Sequence, residues 1–116
     1  MKKDPEIFLR HILESINNIE SFTKNKTKKD FKKDQLLNSA AIRQIEIIGE
    51  AAKNVPKYFK LKHPEIEWVE IAGARDKMIH YYFGLDLDLV WNDILKSDVP
   101  KLKKQITQII EPLGKK

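Results

Sequence analysis

Residues 74–84 read ARDKMIHYYFG, which places Arg75, Asp76, His80, Tyr81 and Tyr82 in one short run. At the ~100° per residue of an α-helix, with Arg75 at zero, Asp76 falls near ~100°, His80 near ~140° and Tyr82 near ~340°. Asp76 and His80 are then i,i+4 neighbours whose side chains can meet. Arg75 and Tyr82 share a stripe two turns apart, and Tyr81, at ~240°, is turned away from both. A guanidinium, an imidazole oriented by a carboxylate, and a phenol suit phosphate chemistry. The arginine can neutralise charge that builds on a phosphoryl group, and the histidine can move a proton near neutral pH. With RNA, a base that deprotonates the ribose 2′-hydroxyl lets it attack its own phosphate without a metal. One histidine does not easily perform both proton transfers, but a second copy from a partner subunit would, which favours a two-fold dimer. On spacing alone the same residues also read as a solvated ion-pair network beside tyrosines that cap a core. Both readings stand at this point.

Other chemistry-bearing residues give weaker patterns. His11 follows Arg10 with no acidic or histidine partner at ligand spacing and reads as a surface residue, and His63, before Pro64, reads as structural. No two histidines lie at i,i+4 and there is no cysteine, so a zinc pattern is missing. Neither a glycine-rich phosphate loop nor a Ser–His–Asp arrangement is present, and no cofactor is expected. Gly49 sits mid-helix, where glycine costs about 1 kcal/mol against alanine, and close approach of a neighbouring helix would explain it. Beside it, Arg43, Glu46 and Glu50 stand at i,i+3 and i,i+4 spacing. They read either as a surface ion pair worth a few tenths of a kcal/mol or as a supporting or dimer-contact group.

These residues need a frame to hold them. The chain has 116 residues, one domain's worth, and residues 1–116 are expected to form a single all-α domain. Helix formers run long between four glycines and five prolines, without strand-like alternation. Five helices are expected. The first spans about Pro5 to Phe22 behind Asp4 as cap, and the second Gln35 to Asn54. A third runs from near Trp68 to Phe83, ended by Gly84. The fourth is a short DLDLVWNDILK helix capped by Asp86, and the last spans about Val99 to Pro112 after a break at Ser97–Asp98. Residues 23–34, TKNKTKKDFKKD, carry six lysines and are expected to be an exposed connection, as is PKYFKLKHPEIE. The net charge of +5 favours a polyanionic partner without demanding one. Only Arg10, Arg43 and Arg75 among the 22 basic residues offer a planar fork for phosphate. The few arginines and the missing helix-turn-helix pattern argue against a DNA-reading regulator. Charges interrupt every apolar run, so neither a signal peptide nor a membrane span is expected, and the protein is expected to be cytoplasmic.

The run RDKMIHYY (75–82) fits the R-x-x-x-x-H-x-Y signature of the HEPN ribonucleases, with Arg75, His80 and Tyr82 on the motif positions. The flanking AIRQIEIIGEAAKNVP (41–56), HPEIEWVEIAGARDKMIHYYFGLDLDLVW (63–91) and DVPKLKKQI (98–106) resemble the HepT-like branch. That resemblance covers about two thirds of the chain in order. It implies a homodimeric helical bundle acting as a metal-independent endoribonuclease toxin on RNA. Arg75 would bind and polarise the scissile phosphate, His80 would transfer protons, and Asp76 would orient or support the site. It further implies a nucleotidyltransferase antitoxin of the MNT type, which inactivates the toxin by attaching AMP to the motif tyrosine, here Tyr82. The alternative within the same resemblance is a HEPN dimer that docks a nucleotidyltransferase or a nucleotide and cleaves nothing.

Overall fold

The computed structural model describes residues 4–78 and 86–114. Helix α1 (Pro5–Thr23) starts where Asp4 accepts a hydrogen bond from the Glu6 backbone N–H, with Pro5 in the first turn. Leu9, Ile12, Ile16 and Ile19 recur at helical spacing and are buried. Helix α3 (Gln35–Asn54) begins at Asp34, whose side chain accepts from Leu37 N–H; it buries Ala41, Ile45, Ile48 and Ala52 and packs chiefly on α1. An Asn18 Nδ2 to Gln44 Oε1 bond of 3.3 Å ties the middle of α1 to α3. Phe8, a few turns earlier in α1, shares a cleft with Asn54 at the far end of α3. The two helices are therefore antiparallel, and they form the centre of an all-α bundle.

Two stretches expected as connections are short helices. In α2 (Lys28–Lys33), Thr27 accepts from Asp30 N–H while the Asp30 carboxylate accepts from Thr27 N–H, a reciprocal capping box. Hydrogen bonding from Thr27 to the carboxylate, the backbone N–H foremost, lowers the Asp30 carboxyl from its ordinary value. The helix forms because Phe31 is completely buried and packs on Trp91, ring centroids 5.3 Å apart. Burying such a side chain contributes about 1.5–3 kcal/mol, enough to order a lysine-rich turn. Lys28 and Lys32 both reach Asp88, and the Lys32 bond of 3.0 Å is the main reason the Asp88 carboxyl is lowered. Helix α4 (Lys57–Lys62) buries Phe59 in the same manner.

Helix α5 (Trp68–Ala72) is anchored by Trp68, whose Nε1–H donates to the His63 carbonyl at 2.9 Å. The long third helix expected from Trp68 is interrupted at Gly73, after which residues 74–78 form α6. The expected end near Phe83 falls outside the described residues. Beyond them Asp86 caps α7 (Leu87–Leu89) by accepting from Leu89 N–H, as the sequence suggests. The expected break at Ser97–Asp98 does not occur. A π-helical stretch, Val90–Asp98, leads directly into α8 (Val99–Gly114), with Val99 N–H bonded to the Ile94 carbonyl five residues back. Pro100 gives the physical reason. It lacks an N–H and its ring crowds the carbonyl four residues earlier, and a widened turn accommodates both effects without ending the helix. Lys103–Glu20 (2.8 Å) and Lys101–Glu67 (3.0 Å) fasten α8 to α1 and to the start of α5. No helix among the described residues is long and apolar enough to cross a membrane.

Candidate functional site

The site begins with a glycine. Gly49 lies in α3 where the backbone of α5 and α6 crosses it. A Cβ there would stand 2.9 Å from the Ile71 carbonyl oxygen and 3.3 Å from Arg75 N. Close helix approach is thus the reason for glycine in mid-helix, as its position in the sequence suggests. The contact seats the Arg75 backbone against α3 and sends its side chain towards Glu50. Arg75 Nη1 and Glu50 Oε2 are 3.6 Å apart, with both side chains more than half exposed. Such a pair contributes at most a fraction of a kcal/mol, so the guanidinium remains available to another anion.

Arg75 opens onto a cleft of about 320 Å³ between α1 and α3. From α1 come Phe8 and His11, three residues apart on one face. Along α3, Arg43, Glu46, Glu50 and Asn54 follow at three- and four-residue steps. Arg43 Nη1 stands 3.9 Å from Glu46 Oε1, a long pair in which the arginine is exposed and the glutamate largely covered. Sequence reasoning gives His11 no part in a site and leaves Arg43 open between a surface ion pair and a supporting or dimer-contact group; antiparallel packing brings both to the cleft that holds Arg75. For Arg43 a further signal is scarcity, since two of only three arginines line this cleft.

Asp76 is exposed on α6 and is not among the residues that line this cleft. Its expected partner His80, and with it Tyr81 and Tyr82, lie outside the described residues. The juxtaposition of Arg75 with His80 and Tyr82 is therefore an expectation from the helical wheel. His63, expected to be structural, contacts the Phe59 ring and lies 3.3 Å from Glu65.

A second cavity of about 310 Å³ lies where α5 and α6 face the Val90–Asp98 stretch and α8, with an aliphatic floor including Ile45, Ile71 and Met78. Its rim carries Glu67, Asp93 and Asp98. Crowding around the Asp98 carboxyl raises its pKa above the ordinary value, and Glu67 and Asp93 push it further, against Lys101 and Lys77. A raised carboxyl penalises the folded state once ionised, and the penalty disappears as pH falls through the folded pKa. Asp98→Asn should therefore raise the melting temperature at neutral pH by about 1–3 °C, a small effect because the residue faces solvent. The gain should close below about pH 4, where an ordinary aspartate is also protonated. Thermal melts of both proteins across pH check this, and a gap that widens in acid would contradict it.

Fold and site together define an all-α bundle whose crossing helices present a guanidinium-lined cleft. A family model described as Ribonuclease HepT-like matches residues 12–109, and the chain belongs to that family. It is 52% identical over 115 residues to a Methanocaldococcus jannaschii protein named "Gamma-glutamylcyclotransferase and putative RNase", covering 99% of this chain and 51% of that one. The chain thus spans about half the length of that relative. It is 45% identical to a "Putative RNase" of Caldanaerobacter subterraneus subsp. tengcongensis, covering 94% of this chain and 96% of the relative. The identity is also 45% to a "Probable ribonuclease HepT" of Thermococcus cleftensis, covering 94% and 98%. No solved structure matches significantly.

Proposed function

We propose that the protein is a metal-independent endoribonuclease toxin that works as a homodimer, with Arg75 and His80 of each subunit at a shared cleft. The observation that carries this reading is Arg75 itself, the family-motif arginine, held by the Gly49 crossing at the edge of an open cleft and only loosely paired. In the reaction one histidine takes the proton from a ribose 2′-hydroxyl. The 2′-oxygen bonds to the neighbouring phosphorus and the bond to the 5′-oxygen breaks. The partner copy's histidine protonates the departing oxygen, leaving a 2′,3′-cyclic phosphate and a 5′-hydroxyl. Arg75 meets the charge that accumulates on the phosphoryl oxygens, where a preorganised cation stabilises the transition state most. Asp76 holds the imidazole in orientation.

The same reading makes Tyr82 the off-switch. A nucleotidyltransferase antitoxin attaches AMP to the phenol, and the added phosphate sits beside Arg75 and competes with RNA for it. Intact mass spectrometry of the protein co-expressed with a small nucleotidyltransferase encoded beside it tests this. A mass increase of one or more AMP units is expected, and it should vanish in Tyr82→Phe. An unchanged mass, or a modification that persists in Tyr82→Phe, would contradict the switch. Tight partner binding together with intact RNA would instead identify a docking module.

A further inference from the structure

We propose that His11 and Arg43 form a phosphate-binding subsite, holding the RNA backbone one nucleotide away from the phosphate at Arg75. The proposal rests on the ribonuclease reading of Arg75 and extends it along the same cleft. Three separate elements contribute cationic or proton-bearing groups to one concavity: His11 from α1, Arg43 from α3 and Arg75 from α6. In a chain whose positive charge is mostly lysine, two of the three planar forks converge here. Guanidinium is the group whose geometry matches two phosphate oxygens at once. The cleft volume lies at the lower end of the ~300–1,000 Å³ of small-ligand sites.

Each arginine has its own glutamate at long range, Arg43 with Glu46 at 3.9 Å and Arg75 with Glu50 at 3.6 Å. These carboxylates act as placeholders. At such distances, and with both guanidinium groups more than half exposed, they offer little competition to a phosphodiester that accepts two short charge-assisted bonds. Glu46 is the more covered carboxylate, its side chain 21% exposed against 68% for Arg43. The arginine, not the acid, is therefore the group free to swing towards a ligand.

The test measures affinity for a fluorescent, uncleavable 2′-O-methyl ten-nucleotide pool by anisotropy, beside KM and kcat on the matching RNA. Arg43→Gln and His11→Gln should each weaken affinity and raise KM about tenfold, the loss of one charge-assisted contact. The kcat should stay within about twofold. Arg43→Gln should also lower the dependence of log affinity on log salt by about 0.7, one phosphate's worth for a single strand. Lys29→Gln removes the same charge on α2, before the opposite end of α3 from Asn54 and outside the cleft lining, and should alter none of these beyond about twofold. A KM and affinity unchanged in Arg43→Gln would overturn the subsite, as would a kcat that falls as far as KM rises. If the wild-type protein cleaves no RNA, the ribonuclease reading fails and affinity alone decides the subsite. A tenfold loss of binding in the variants would then uphold it, whereas equal binding, or no binding by the wild type, would overturn it.

Discussion

His80→Ala should lose RNA cleavage by about 100- to 10,000-fold, the range spanned by a positioned general acid or base, and lose growth inhibition with it. The expected loss is large because a two-fold site uses the residue twice. In the proposed mechanism one copy accepts the 2′-hydroxyl proton and the other donates to the leaving oxygen, so a single substitution would remove both transfers. A dimer that pairs one wild-type and one His80→Ala subunit should fall well below half activity, which a surface ion-pair role would not produce. The helical circular dichroism and the oligomeric state should match the wild type, and that match separates lost chemistry from lost folding. Full cleavage by the variant would remove the assignment of His80.

Gly49→Ala is the second large effect, and its sign is decided by two opposing terms. Alanine in a helix interior is favoured over glycine by about 1 kcal/mol. Against this, the new methyl would stand 2.9 Å from the Ile71 carbonyl oxygen and 3.3 Å from Arg75 N. Both contacts are backbone, so no side chain can rotate aside, and overpacking of this kind costs about 1–3 kcal/mol or more. With a contact of 2.9 Å the cost lies at the upper end, so the net expectation is destabilisation by about 1–2 kcal/mol, read as a melting temperature lower by roughly 3–12 °C for a domain of this size. Activity should fall further than stability accounts for, because the methyl displaces the backbone that carries Arg75. Cleavage assayed well below the melting temperature separates the two effects. A higher melting temperature with unchanged activity would mean that α5 and α6 do not sit against α3 as described.

The parts of this fold that were legible in the sequence are those determined locally. Asp4 marks the start of α1, Asp86 caps α7, and Gly49 announces a helix crossing, because capping and close approach leave a signature in a few neighbouring residues. What was not legible depends on partners far along the chain. The segment 23–34 looks like a solvated lysine run until Trp91 closes over Phe31. Ser97–Asp98 looks like a break, because the widened turn that carries the helix through to Pro100 has no propensity signal of its own. His11 and Arg43 gain their place at the cleft only once α1 and α3 pack antiparallel. The family motif identifies Arg75 and names His80 and Tyr82, but the wall opposite Arg75 comes from helices the motif does not include.

The central claim, that Arg75 and His80 cleave RNA through the 2′-hydroxyl, is tested most directly by the chemical ends of the products. Purified wild-type protein, incubated with RNA in the presence of a metal chelator, should leave fragments ending in 2′,3′-cyclic phosphate with 5′-hydroxyls on the following pieces. Arg75→Ala and His80→Ala should leave the RNA intact. Intact RNA with the wild type, or fragments bearing 5′-phosphates, would contradict the account.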